Sequence, residues 1–177
     1  MYVGNEAYGT GRIGAKAALF DGNSRIKVDA FSNFDWGSAV TISLWFKRTS
    51  ADGYQSIISN GYYDTGSWEI RMGREGGGTM LGGGFITADH GTAWDHVGDF
   101  YSDHDTLQGR VPPAALNTWN HVAMTYDGEV VHFYVNGVQQ GGIMNDSGDL
   151  VTAAGALRIG GIDLPDGEKI SVSHCVS

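Results

Sequence analysis

One cysteine and three prolines stand among 177 residues. With Cys175 alone, no internal disulfide can form, so the thiol is free or bridges to a second chain. Charge is scarce as well, and what there is leans one way. Lys and Arg total 11 against 20 Asp and Glu, a formal net charge of −9. Such a chain repels phosphate backbones, which excludes nucleic acid as its main partner. No run approaches the roughly 18 apolar residues of a membrane-spanning helix, so membrane insertion is not expected. No long stretch carries a 3.6-residue apolar period either, and helices are not expected. Met1-Tyr2-Val3-Gly4-Asn5-Glu6 has neither the basic start nor the apolar run of a secretory signal. An extracellular place would then need a leader already removed, another export route, or a particle released by lysis.

What the chain does have is glycine, 28 of them, between short runs of Val, Ile, Phe, Tyr and Trp. The stretch Asn117 to Gly137 is the most legible. Val122, Met124 and Tyr126 alternate with His121, Ala123 and Thr125; Val131, Phe133 and Val135 alternate with Val130, His132 and Tyr134. Alternation of this kind is the signature of half-buried strands. The Asp127-Gly128 pair between them predicts a hairpin in which both turn residues take positive φ, and Asn136-Gly137 ends the second strand with another turn.

Further strands are predicted at Ala18–Asp21, Arg25–Ala30, Val40–Lys47, Ser56–Ser59, Trp68–Met72, Phe85–Thr87, Ala156–Gly160 and Lys169–Val176. Residues 73–84 read as a glycine-rich loop or hairpin, and residues 141–154 as a long polar loop. Trp36, Trp68 and Trp119 read as core or rim packing. Many short strands with regular turn signals predict an all-β, antiparallel β-sandwich. There is no internal repeat and no linker, so residues 17–177 are expected to form one domain. Residues 1–16 are polar and glycine-rich; they should fray unless held, and they are expected to serve as an exchanged or interface strand.

The ordered set G-R-I-G-A-K-A-A-L-F-D-G, V-T-I-S-L-W-F-K, I-I-S, W-N-H-V-A-M-T-Y-D-G, F-Y-V-N-G and L-R-I-G-G, from about Gly11 to Gly161, resembles the laminin-G-like domains of the concanavalin-A-like jelly-roll superfamily. The resemblance implies two antiparallel sheets of five to seven strands. It also implies a mostly non-catalytic family of secreted, cell-surface and particle-surface proteins that bind glycans or proteins or act as spacers. It fails at both ends: the opening strand has no clear counterpart, and the closing strand is at best K-I-S-V-S-H-C-V. Two poor edge strands would expose unpaired backbone, a template for strand addition by another chain.

In related jelly rolls a calcium ion often bridges the F-D-G turn to a late acidic residue. The resemblance therefore implies a Ca²⁺ site at Asp21 with Asp163 as the late partner; the competing reading is that Asp21 bonds its own turn. The segment Asp89 to Gln108 is the richest in polar chemistry. Asp95, Asp99, Asp103 and Asp105 suit Ca²⁺; His90, His96 and His104 suit a transition metal. It contains no D-x-D-x-D-G loop and no H-x-x-x-H pattern, and a solvated insertion or charged edge hairpin is the competing reading.

Trp45, Trp94 and Tyr134 offer a platform on which sugar rings stack, with core packing the alternative for Trp45. Trp94, Asp95, His96, Asp99, Trp45 and Tyr134 are the expected ligand-binding residues. Asn145-Asp146-Ser147 is the one N-x-[ST] triplet, a glycosylation candidate. Catalysis is not expected, because no E-x-D-x-x-E pattern is present and no nucleophile setting appears.

Three functions follow as expectations. The first is a non-catalytic extracellular or virion- or cell-surface module that assembles into a fibre or surface layer. It would bind glycans or other protein chains and form a homopolymer through edge strands. The second is a dedicated carbohydrate-binding module of a larger secreted protein. The third is a polysaccharide lyase or hydrolase, for which His90, His96 and Tyr101 are the available groups.

Overall fold

The computed structural model describes residues 1–29, 37–50, 55–61, 68–72, 81–85, 115–145, 150, 155–163, 169–171 and 173–176. Among these there is no α-helix and there are fifteen strands. They are β1 (Tyr2–Val3), β2 (Ala7–Gly9), β3 (Ala17–Asp21), β4 (Arg25–Val28), β5 (Val40–Arg48), β6 (Gln55–Asn60), β7 (Trp68–Met72) and β8 (Leu81–Phe85). After these come β9 (Asn120–Tyr126), β10 (Val130–Val135), β11 (Val138–Asn145), β12 (Leu157–Ile159), β13 (Gly161–Asp163), β14 (Lys169–Ser171) and β15 (Ser173–Val176).

A six-stranded sheet has the order β1-β4-β12-β6-β7-β8, and a seven-stranded sheet the order β11-β10-β9-β5-β15-β3-β2. Strands β13 and β14 form a small third sheet. The recorded pairings are all antiparallel, the jelly-roll sandwich that the strand pattern predicts.

The core lies between the two large sheets. From the seven-stranded sheet Ile42, Leu44, Phe46, Val122, Met124, Tyr126, Val131, Phe133 and Val135 point inward; Ile57, Trp68, Ile70, Met72, Leu81 and Phe85 meet them from the other. Burial of each large apolar side chain is worth about 1.5–3 kcal/mol, which is why strands this short hold their register. Trp68 is thus core, and Trp119 is half-buried at the rim.

The 120–135 hairpin forms in the predicted register, Val131 opposite Tyr126 and Val135 opposite Val122. The first of its two turns differs from expectation, and the second is the turn that Asn136-Gly137 predicts. At Asp127-Gly128 only Gly128 takes positive φ (99°). Asp127 instead accepts the N–H groups of Glu129 (3.1 Å) and Val130 (2.8 Å) on Oδ1, so its carboxylate shapes the turn. At Asn136-Gly137 both residues are left-handed, with φ of 51° and 81°. That pair reverses the chain into β11, so the long polar loop expected from residue 141 is, up to Asn145, an edge strand paired with β10. Glycines at 141 and 142 mask a strand in sequence because they break the apolar alternation.

Both ends of the chain also depart from expectation. Residues 1–9 pair within their own chain, β1 against β4 and β2 against β3, one edge strand for each large sheet. Tyr2 lies 5.8 Å from Tyr8 and 6.2 Å from Phe20 between ring centroids, closing the seam between the sheets with aromatic rings. The closing segment splits into β14 and β15, and β15 lies inside the seven-stranded sheet between β5 and β3. The expectation of two poor edge strands is therefore corrected: one terminal strand is interior.

Candidate functional site: the outer faces of the two sheets

On the seven-stranded sheet, the residues turned away from the core run in rows across the strands. Ser43, Ala123 and Tyr134 make one row, and Trp45 and His121 begin the next. Trp45 and Tyr134, predicted to share a platform, do share this face, two strands and one row apart. At about 4.8 Å per strand spacing, roughly 10 Å separates their strands. The Trp45 ring is not open. His121 lies 5.1 Å from it, and the Arg12 guanidinium sits over the indole at 4.8 Å. Nearby, His132 lies 6.4 Å from Tyr134, its Nδ1 is within 3.1 Å of Gln139 Nε2, and Lys47 sits over Trp119 at 5.6 Å.

The six-stranded sheet differs. In β7 all five residues are buried, including Glu69 and Arg71, whose side chains point away from the core. They form an ion pair at 2.5 Å with side-chain exposures of 7% and 6%. Antiparallel register extends a polar row across the sheet: Lys27 opposite Arg158, Arg158 opposite Ser59, Ser59 opposite Glu69, and Glu69 opposite Gly84. One row along, Ser56 lies opposite Arg71 and Arg71 opposite Gly82. Gly82 and Gly84 leave that end of both rows without side chains.

The Ser56 and Ser59 hydroxyls are buried, at 1% and 0% residue exposure, with no hydrogen-bond partner among the described residues. A buried hydroxyl left alone costs about 1–3 kcal/mol, and these two lie in neighbouring rows. A register shift at Ser56/Ile58 places Ser56, Ser59, Glu69 and Arg71 on one side despite the extra residue Ile57.

Other expected site residues are placed as follows. Asp21 ends β3; its Oδ1 accepts the Asn23 N–H at 2.9 Å, and the Asn23 N–H and the Ser24 hydroxyl hold its carboxyl below the usual range. Its carboxylate thus bonds its own turn. Asp163 ends β13 opposite Lys169. Among the described residues no group of three or more His, Cys, Asp or Glu is arranged to hold a metal. Asn145 is the last residue of β11, opposite Val130, rather than in a loop. Trp94, Asp95, His96 and Asp99, with His90, Tyr101 and the rest of the Asp89–Gln108 segment, lie outside the described residues. The strand predicted at Trp68–Met72 contains Glu69 and Arg71, but nothing in the sequence joins them to the rest of the row. Their cross-strand neighbours Ser59 and Arg158 are distant in sequence.

A family profile described as the concanavalin A-like lectin/glucanases superfamily, laminin G type, matches residues 20–168. The chain belongs to that superfamily. No curated protein matches it at a significant level. Among solved structures it is similar to domain 4 of AbnA, a GH43 extracellular arabinanase from Geobacillus stearothermophilus, in complex with arabinotriose. The identity there is 22% and the TM-score 0.64, over 98% of this chain and 75% of that one. It is also similar to the Ruminococcus gnavus IT-sialidase CBM40 bound to alpha2,3 sialyllactose (13% identity, TM-score 0.58, 90% of this chain and 87% of that one). Domains LG4-5 of the mouse laminin alpha1 chain are similar at 12% identity and TM-score 0.58, over 90% of this chain; the chain spans 39% of that pair. At such identities the likeness is one of fold.

Proposed function

We propose that this chain is a non-catalytic carbohydrate-binding module of an extracellular protein, and that sugar binds on the outer face of the six-stranded sheet. The observation that carries the reading is the polar row of that sheet, where two buried serine hydroxyls without a partner among the described residues lie beside a carboxylate–guanidinium pair. Sugars present adjacent hydroxyls that both donate and accept. Glu69 accepts, Arg71 and Arg158 donate, and Ser56 and Ser59 do either. The fold neighbours support the reading, since two were solved with arabinotriose and sialyllactose. The extracellular arabinanase among them supports the location.

Acid–base hydrolysis needs two carboxylates across the bond to be cut, and in the described rows Glu69 is tied to Arg71. The aromatic face is the weaker candidate, because Arg12 covers the ring on which a sugar would stack. The test is titration calorimetry with arabino-, galacto- and sialyl-oligosaccharides. Binding that falls at least tenfold in Ser59→Ala and Glu69→Gln, with the thermal transition retained, supports the reading. Binding lost in Trp45→Ala but unchanged in those two variants would move the site to the other sheet.

A second reading, self-association by strand pairing, rests on β11, an eight-residue edge strand whose Val138 is 61% exposed. Light scattering tests it: a concentration-independent mass of 18.9 kDa removes it.

A further inference from the structure

Arg12 covers the Trp45 ring and keeps its own donors unspent. We infer that the outer face of the seven-stranded sheet holds a second site, apart from the one proposed above, where Arg12 and Lys47 receive the carboxylate of an acidic saccharide. It shares with that reading only the class of ligand.

The two cations are presented in the same way. The Arg12 guanidinium lies over Trp45 at 4.8 Å, and the Lys47 ammonium over Trp119 at 5.6 Å. A ring attracts a cation through its quadrupole but does not neutralise it, and its face takes up none of the N–H donors in a hydrogen bond. Among the described residues neither cation has an ion pair or a side-chain hydrogen bond beside its ring contact. Trp45 and Lys47 are two residues apart on one face of β5, about 7 Å along the strand. The nearest carboxylates of this sheet are remote or engaged. Asp127 follows the far end of β9, about 20 Å along the strand from His121, and Asp21 bonds its own turn. On a chain of net charge −9, two cations that meet rings instead of carboxylates stand out.

This face is also open. Arg12 and Ser43 are exposed, and Trp45, Lys47, Ala123 and Tyr134 are half-buried. Gly11 lets the turn between β2 and β3 close beside Arg12, since a Cβ there would lie 2.8 Å from the Lys16 carbonyl oxygen. Next to the cations, Ser43 and Ala123 form a low floor that ends at Tyr134. Strands β5 and β9 are bonded on both sides, so they leave no backbone for a peptide strand to pair with. Hydroxyl, ring and cation on an interior stretch of sheet suit a sugar acid, with its carboxylate at Arg12 and Lys47 and its ring over Ser43 and Ala123.

The test compares trigalacturonate with its methyl ester, a pair that differs in charge and little else. Binding to the whole chain is followed by titration calorimetry at two salt concentrations and by the NMR shifts of the indole N–H groups. The acid should bind about fivefold or more tightly than the ester, with an advantage that shrinks as salt rises, and should shift the Trp45 and Trp119 signals. Arg12→Gln and Lys47→Gln should each cut that advantage, and Arg12→Lys should lose less of it than Arg12→Gln. Ser59→Ala probes the opposite face and should leave the advantage in place. Acid binding that disappears in Ser59→Ala but persists in both Arg12→Gln and Lys47→Gln would overturn the second site and leave the reading above standing. Acid binding that depends on Arg12, in a chain that binds no neutral sugar, would uphold this site and remove the other. Equal affinity for acid and ester would overturn the inference, as would a triglutamate peptide that binds as tightly as the sugar acid.

Discussion

Strands β5 and β7 look alike in sequence and live in different surroundings. V-T-I-S-L-W-F-K-R and W-E-I-R-M both alternate apolar with polar residues, and in both the apolar set enters the core. On β5 the outward set is half-buried or exposed; on β7 it is as buried as the core. Alternation thus says which way a side chain points and nothing about what lies above it. A polar face in water is held by nothing in particular. A polar face out of water must be paired group by group, which makes it intolerant of change and suited to recognition.

The sharpest way to break this contrast is to remove one half of the buried pair. Arg71→Met should destabilise the fold by about 3–5 kcal/mol in denaturant unfolding, because Glu69 is left charged and buried. A cost below 1 kcal/mol would mean that the face is wetter than described. Next in size is the neighbouring glycine strand. A Cβ on Gly83 would collide with the Glu69 carbonyl oxygen, so Gly83→Ala should cost about 1–3 kcal/mol and weaken sugar binding together with stability. On the other sheet Gly137 has open space around it and a φ of +81°, so Gly137→Ala should cost about 1–2 kcal/mol through backbone strain alone and leave binding untouched.

Smaller still is the aromatic face: Arg12→Met loses one exposed cation–π contact, about 0.5–1 kcal/mol, with neutral-sugar affinity unchanged. Improved binding of neutral sugars in that variant would instead identify Trp45 as a platform that Arg12 covers.

The smallest expected effect is a pH dependence of stability that comes from carboxylates in turns. The N–H groups of Val130 and Glu129 hold the Asp127 carboxyl below the usual carboxylate range, and Asp21 is held likewise. A carboxylate with a lowered folded value stabilises the fold above its unfolded value, near 3.9, and that contribution disappears as pH falls through the folded one. Asp127→Asn should therefore flatten stability against pH between about 4 and the acid transition, read from thermal melts across that range.

Much of the sandwich was legible because adjacent strands in sequence are adjacent in space. The β9–β10 hairpin and its register follow from Val122 to Val135 alone. What escaped were relations that close over long separations or lack side-chain signals. β11 hides behind two glycines, and β15 finds its place only through Arg48, Lys47 and Phe46 on one side and residues 18–21 on the other. The polar site escaped for the same reason. Glu69 and Arg71 are two apart and could be paired by eye, but Ser59 and Arg158 join them only through the order β12-β6-β7. The aromatic platform was half right: Trp45 and Tyr134 share a face, and no pattern in the sequence announces that Arg12 lies across one of them.

The interior position of β15 bears on how the chain is made. Its partners β3 and β5 belong to the first third of the sequence and emerge from a ribosome long before residues 173–176 do. Until then the seven-stranded sheet has a gap of one strand, with two edges that must neither pair with each other nor capture a neighbouring chain. Contacts of such long sequence separation slow folding and lengthen the time for which those edges stand open. Until residues 173–176 pair, β3 and β5 each keep an edge that the finished sheet covers. Supplying the last strand as a separate peptide to a shortened chain would show how long the gap can wait.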